Sequence, residues 1–278
     1  MTAKSSNAAG KSALVTGANT GIGFEVARAL AQSAAHVVLA CRHQGRGQQA
    51  MATIKKEFPD ASLELLLVDL SSQQSIRSAA TNFLARHPSL DVLINNAGIG
   101  LKTREESVDG IEMTFATNVL AYFLLTNLLL EALHKAPAGR IVNVASELAG
   151  GLDLSDLEFK RRGYEASAAY SQSKQANRML TWALARRLAD SKLTANAMSP
   201  GPVDTRLLRT FAPNMKGKTT TEGADTIVWL ATSSEVDGQT GRFWVDRHEK
   251  PCRFHNRQDE ERLWLICEQL TSSGHPGS

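Results

Sequence analysis

The chain has 278 residues, with 31 Lys and Arg against 28 Asp and Glu and a net charge of +3. Its 42% hydrophobic content can fill a sizeable core, which excludes wholesale disorder. Balanced charge without a dense Lys/Arg run excludes a nucleic-acid footprint. The apolar stretch 120–130 holds Thr126 and Asn127 and reads as too short to span a bilayer. Residues 1–11 are small and polar, so neither a signal peptide nor a membrane anchor is expected. Cys41, Cys252 and Cys267 are widely spaced and show no metal-ligand pattern, so a reducing, cytoplasmic setting is expected.

In chain order, short aliphatic runs alternate with longer helical patterns. Strands are expected at Ser12–Thr16, His36–Cys41, 63–69, 91–95, 140–145, 193–199 and 242–246. Helices are expected over 21–33, 45–58, 73–86, 105–134, 168–190 and 221–232. This alternation predicts a single α/β domain over 11–271: a Rossmann fold, doubly wound, with a mostly parallel seven-stranded sheet and helices on both faces. Residues 1–10 and 272–278 read as flexible ends. The segments 148–167 and 202–218 break the alternation and read as loops with short helical pieces, and long loops in compact domains are usually functional.

The first strand runs into Thr16-Gly17-Ala18-Asn19-Thr20-Gly21-Ile22-Gly23 and then a helical segment. Glycines at 17, 21 and 23 permit a tight turn and close approach of a diphosphate to the helix start. A dinucleotide site is therefore expected, against the plainer reading of an ordinary strand–helix turn. NAD sites usually carry an acid at the end of the second strand, for the ribose 2′-hydroxyl. Here that strand ends Ala40-Cys41-Arg42-His43, and no acid occurs from Val26 to Lys56. Arg42, with help from Arg46, can grip a 2′-phosphate through its planar fork, so NADP(H) is the expected cofactor.

Tyr170 and Lys174 lie four apart, on one face of a helix. A phenol is a poor acid–base group at neutral pH, and a fixed cation beside it lowers its pKa. Taken with Asn95-Asn96-Ala97-Gly98, Asn118, Ser146, Pro200-Gly201 and the glycine loop, the sequence resembles the short-chain dehydrogenase/reductase family from Ser12 to Leu270. Ala40-Cys41-Arg42, Phe123-Leu124-Leu125-Thr126 and Glu261-Arg262-Leu263-Trp264 are similar to its retinol-dehydrogenase-like branch.

That resemblance implies roles. Ser146 would hold the substrate oxygen, and Tyr170 would give or take its proton. Lys174 would lower the Tyr170 pKa and bind the nicotinamide ribose. Asn118 would sit at a helix irregularity and complete a water relay to Lys174. Gly17, Asn19, Thr20, Gly21, Ile22 and Gly23 would cradle the diphosphate. Asn95, Ala97 and Gly98 would line the adenosine ribose, and Asp69 and Leu70 would cap the adenine. Pro200, Gly201, Val203 and Thr205 would fold over the nicotinamide. The chain departs from the branch at Ala145, where a serine is common, and at Ala121, where a glycine is.

Ile99, Leu101, Leu148, Leu152, Leu207, Leu208 and Phe211 make the specificity loops apolar, so a small apolar carbonyl or alcohol is the expected substrate. The four tryptophans read as core or interface packing. His43, His87, His134, His248 and His255 are scattered, and no metal site is expected. In the family the helices around 120–130 and Tyr170 often form subunit contacts, which implies a homodimer or homotetramer. The leading reading is an NADP(H)-dependent carbonyl reductase or alcohol dehydrogenase. Two alternatives are a non-catalytic NADP(H)-binding regulatory protein and a sugar-nucleotide epimerase or dehydratase. Ser146, Tyr170 and Lys174 together speak against the first, and the glycine spacing against the second.

Overall fold

The computed structural model describes residues 8–272. One sheet organises them, in the order β3-β2-β1-β4-β5-β6-β7-β8. Its strands are β1 (Ser12–Thr16), β2 (His36–Cys41), β3 (Ser62–Leu67), β4 (Val92–Asn95), β5 (Arg140–Val144), β6 (Thr194–Ser199), β7 (Phe243–Val245) and β8 (His248–Glu249). All neighbours are parallel except the last pair, where β8 turns back antiparallel on β7. The expected seven strands are present, and the eighth is this two-residue hook. The central strands are buried on both faces, which is why they read as unbroken aliphatic runs.

Two cores sandwich the sheet. On one face lie α1 (Gly21–Gln32), α2 (Gln44–Glu57) and α8 (Thr220–Thr232), buried through Val26, Leu30, Ile54 and Ile227. The other face carries α3 (Gln73–Leu84), α5 (Ala121–Lys135), α6 (Ala166–Arg187) and α9 (Arg257–Ser272), buried through Phe83, Leu129, Met179 and Trp264. The order of connection reverses between β1 and β4, and the C-terminal ends of those strands open a crevice there.

Some boundaries differ from expectation for identifiable reasons. The helix expected over 105–134 starts only at α4 (Met113–Phe115), because Gly110 turns the chain at φ +73°. Glu112 then caps the helix, its carboxylate accepting from the Thr114 and Phe115 amides at 2.8 and 2.7 Å. A π-helical turn, Ala116–Leu120, joins α4 to α5. The continuous helix Met113–Lys135 is therefore 23 residues, long and apolar enough by length and composition to cross a membrane, although most of it is buried here. This corrects the reading of 120–130 as too short. The segment 202–218 carries one short helical piece, α7 (Arg206–Phe211), as expected, and α9 lacks an expected counterpart. Of the ends expected to be flexible, 1–7 and 273–278 lie outside the described residues. Within them, Ala8 is buried and the Gly10 amide donates to the Ala34 carbonyl at 3.2 Å.

Candidate active site

The glycine loop follows β1 at the crevice. Gly17 and Gly21 adopt φ of +68° and +58°, which side chains resist. Gly23 is excluded from carrying a side chain by contact: a Cβ there would lie 2.4 Å from the Gly17 carbonyl oxygen and 2.5 Å from Asn96 Nδ2. Thr16 fastens the loop to the end of β4, its Oγ1 accepting from the Asn96 and Ala97 amides at 2.9 and 3.1 Å. The Asn96 side chain donates back to the Thr16 carbonyl at 2.8 Å. Thr20 precedes α1 without capping it, and the first turn carries no acid. Its amides and dipole thus face a concavity of about 400 Å³ lined by Asn19, Thr20, Gly21, Phe24, Arg46 and Gln49. A glycine loop with no room for a Cβ at Gly23, opening on an uncapped helix start, fits the diphosphate of a dinucleotide.

The second-strand end is equally open. Arg42 follows β2 with an exposed side chain, 3.9 Å from Asp69 Oδ2. The other Asp69 oxygen accepts from the Ser71 amide and hydroxyl at 3.0 and 2.7 Å. Leu70 packs its side chain partly into the core. Asn95 ends β4. It is fully buried, and its amide donates to Thr126 Oγ1 and Asn143 Oδ1, both at 2.9 Å, in the layer between sheet and α5. Asn96, the next residue, makes the contacts to the glycine loop.

Across the crevice, Ser146 follows β5, while Tyr170 and Lys174 stand one turn apart on α6. The Ser146 hydroxyl faces that of Tyr170 and draws its pKa down. Burial pushes the Tyr170 phenol up to about 12, and the neighbouring Ser146 side chain only partly offsets it. Burial likewise draws the Lys174 ammonium down to about 7. Lys174 Nζ donates to the Val144 carbonyl at 2.9 Å and stands 5.7 Å from the centre of the Tyr170 ring. In this arrangement the lysine is not among the groups that lower the tyrosine, and desolvation of both dominates.

Asn118 lies in the π turn, at the expected helix irregularity, and is fully buried. Its Oδ1 accepts from the Ile99 amide at 2.8 Å, and its Nδ2 donates to the Ile99 carbonyl and Ser173 Oγ at 2.9 and 3.0 Å. A Cβ on Gly98 would be 3.5 Å from both Asn118 Oδ1 and Lys174 Nζ, so the turn after β4 meets the lysine here. Two neighbours escaped the sequence reading. Tyr122 donates its hydroxyl to the Ala97 carbonyl at 2.8 Å, with Lys174 Nζ 5.6 Å from its ring centre. Arg178 lies over the Phe243 ring at 3.6 Å and donates to the Ser146 carbonyl. Its place one turn beyond Lys174 was the available signal.

The chain after β6 covers the crevice. Pro200 leads to Gly201, at φ +73°, and Val203 bridges to Lys218. Thr205 brings its methyl to Gly21 and caps α7, accepting from the Leu208 amide at 3.4 Å. Gly223 and Ile22 pack together with Val203. Phe211, at the end of α7, sets its ring 5.3 Å from that of Tyr170 and fills the space beside Gly100 with Leu207. Of the other apolar loop residues, Leu148 is exposed and Leu152 packs on the core.

Lys174 offers a direct test of the desolvation. Its folded pKa lies below the ordinary lysine value, so its burial penalty is full below about pH 7 and fades as pH rises toward 10.5. Lys174→Met is expected to stabilise the free protein by on the order of a few kcal/mol at pH 6, with the gain shrinking toward pH 10. Thermal unfolding of both proteins across that range checks it, and a gain that grows with pH would reverse the sign.

A family model for short chain dehydrogenases matches residues 11–216. The chain is 37% identical to retinol dehydrogenase 12 of Mus musculus, with 94% of this chain and 86% of the relative covered. A crystal structure of a protein from Mycobacterium paratuberculosis superposes with a TM-score of 0.81 at 33% identity, covering 97% of this chain and 96% of that one. A Shigella flexneri structure described as a short chain dehydrogenase complexed with NADP gives 0.72 at 26% identity, covering 86% and 98%. The expected cytoplasmic location is overturned by these findings and is withdrawn. The relatives are named for retinol, an apolar alcohol that partitions into membranes, and Met113–Lys135 passes the length and composition of a membrane span.

Proposed function

The chain belongs to the short-chain dehydrogenase family, and we propose that it interconverts an apolar aldehyde or ketone and the corresponding alcohol with NADP(H). The observation that carries this reading is the buried Tyr170 phenol, with Ser146 beside it and Lys174 one turn away, across the crevice from the glycine cradle. Gly17, Asn19, Thr20, Gly21, Ile22 and Gly23 would hold the diphosphate, with Ala97, Gly98, Asp69 and Leu70 toward the adenosine and Pro200, Gly201, Val203 and Thr205 toward the nicotinamide. When bound, the dinucleotide supplies or accepts the hydride. The protein's own work is to orient the carbonyl and manage one proton.

Ser146 donates to the substrate oxygen and fixes it beside the Tyr170 hydroxyl. Tyr170 gives that oxygen its proton in reduction and takes it back in oxidation. A phenol held near 12 keeps its proton at neutral pH, which suits a donor. Lys174, drawn to about 7, exchanges a proton near neutrality and so replenishes the phenol. Asn118 holds Ile99 and Ser173 around the lysine, where a water relay to it would run. Phe211 and Leu207 wall the pocket beside Tyr170, favouring an apolar substrate such as a retinoid, aryl ketone or long-chain aldehyde.

Arg42 supports NADP(H) over NAD(H): it is exposed at the end of β2, and the structurally similar Shigella flexneri protein is described with NADP. Oxidation of NADPH and NADH by the purified protein against those carbonyls tests the activity. Arg42→Ala is expected to weaken NADPH about 10- to 100-fold, the loss of a charge-assisted contact, and NADH far less. Equal weakening would remove the 2′-phosphate role. Silence across the panel with tight NADPH binding would favour a binding protein without turnover.

A further inference from the structure

At the other end of the sheet, three residues far apart in sequence come together. His36 opens β2, Glu64 lies in β3, and His87 follows α3. Residue His36 pairs with Ser62 and Val38 with Glu64, so strand alternation puts both side chains on the α3 face. His87 Nε2 is 2.7 Å from Glu64 Oε2, and His36 Nε2 is 3.6 Å from the same oxygen. All three potential ligand atoms lie within 4.8 Å of one another.

We propose that His36, Glu64 and His87 bind a divalent transition metal of the zinc class. Three observations lead there. First, the spacing fits: metal–nitrogen bonds of about 2.0–2.1 Å set tetrahedral ligands roughly 3.3 Å apart, and the two observed separations bracket that value. Second, His36 Nε2 is buried, faces the carboxylate and has no hydrogen-bond partner. Its other nitrogen is engaged by Ser62 Oγ at 2.7 Å, the outer contact that fixes the ring of a ligating histidine. Third, the remaining groups are already oriented. Arg86 holds Glu64 Oε1 at 2.5 Å, leaving Oε2 toward the imidazoles, and the His87 ring stacks on Phe83 with centroids 4.7 Å apart.

Two imidazoles and one carboxylate suit zinc and its neighbours better than the oxygen-seeking calcium or magnesium. With three protein ligands the fourth position falls to water. The site would clip the edge strand β3 to β2 and to the end of α3. It lies at the N-terminal ends of the strands, away from the crevice, so its role is to brace the fold. The sequence separations of 28 and 23 residues hide it from any spacing rule.

The test is titration of the metal-free full chain with Zn2+ by calorimetry, with Co2+ as a spectroscopic probe. One Zn2+ per chain should bind saturably and raise the unfolding temperature, and Co2+ should give the visible bands of a tetrahedral nitrogen–oxygen site. His87→Ala and His36→Ala should each weaken binding by more than about tenfold, with circular dichroism checking that the metal-free variants are folded. Glu64→Gln serves as a second probe should a histidine variant unfold. Absence of saturable uptake, or uptake unchanged in folded variants, would overturn the proposal and leave the three residues as a hydrogen-bonded charge cluster.

Discussion

Tyr170→Phe is expected to lower turnover about 10²- to 10⁴-fold while leaving NADPH affinity nearly unchanged. The substitution removes one hydroxyl and keeps the buried ring, so the contact with Phe211 and the packing of α6 survive. Ser146 keeps its bond from the Leu148 amide at 3.1 Å. The expected defect therefore falls on proton delivery alone. Steady-state kinetics paired with a fluorescence titration of NADPH separates the two quantities. Retained turnover would remove Tyr170 as the donor, and a parallel loss of binding would mean that the phenol supports the cofactor instead.

The second large effect is expected at Gly23→Val. A Cβ at this position lies within 2.4 Å of the Gly17 oxygen and 2.5 Å of Asn96 Nδ2, closer than real contacts come. Both are held in place: Gly17 donates its amide to the Ala40 carbonyl at 2.8 Å, and Asn96 is tied to Thr16. Relief must come from opening the loop, at a cost of about 1–3 kcal/mol, and the cradle opens with it. NADPH binding is expected to disappear and the unfolding temperature to fall. Gly163→Ala is the matched control, since it lies outside the concavity and a Cβ there meets nothing within 4 Å. Wild-type NADPH affinity in Gly23→Val would show that the loop is not the diphosphate site.

Much of this was legible in the residues because the interior of the sheet is simple. Strands such as Val92–Asn95 are buried on both faces and carry no competing signal. The glycines at 17, 21 and 23 announce a loop that takes positive φ at two positions and has no room for a side chain at the third. What was harder to read is equally physical. Asn95 and Asn96 look interchangeable as a pair, yet strand alternation sends consecutive side chains to opposite faces. Leu93 belongs to the α5-side core and Ile94 to the other, so Asn95 returns to the α5 side. Period-two reasoning from β4 would have placed it. The helix α9 was also within reach, since Glu260, Leu263, Trp264, Cys267 and Thr271 recur at helical spacing. By contrast, the gathering of His36, Glu64 and His87 depends on the register of β2 against β3 and on where α3 ends, which no local pattern encodes.

The π turn at Ala116–Leu120 acts as a phase shifter. An added residue in one turn rotates everything beyond it by roughly 100° relative to a regular helix. Asn118 can thereby point at Ile99 and Ser173 while Leu125 and Leu129, on the far side of the turn, still meet the core beneath the sheet. A regular helix would satisfy one of those directions and miss the other. Deleting a single residue from this turn would improve the helix as a helix, and in doing so would point one of its two halves the wrong way.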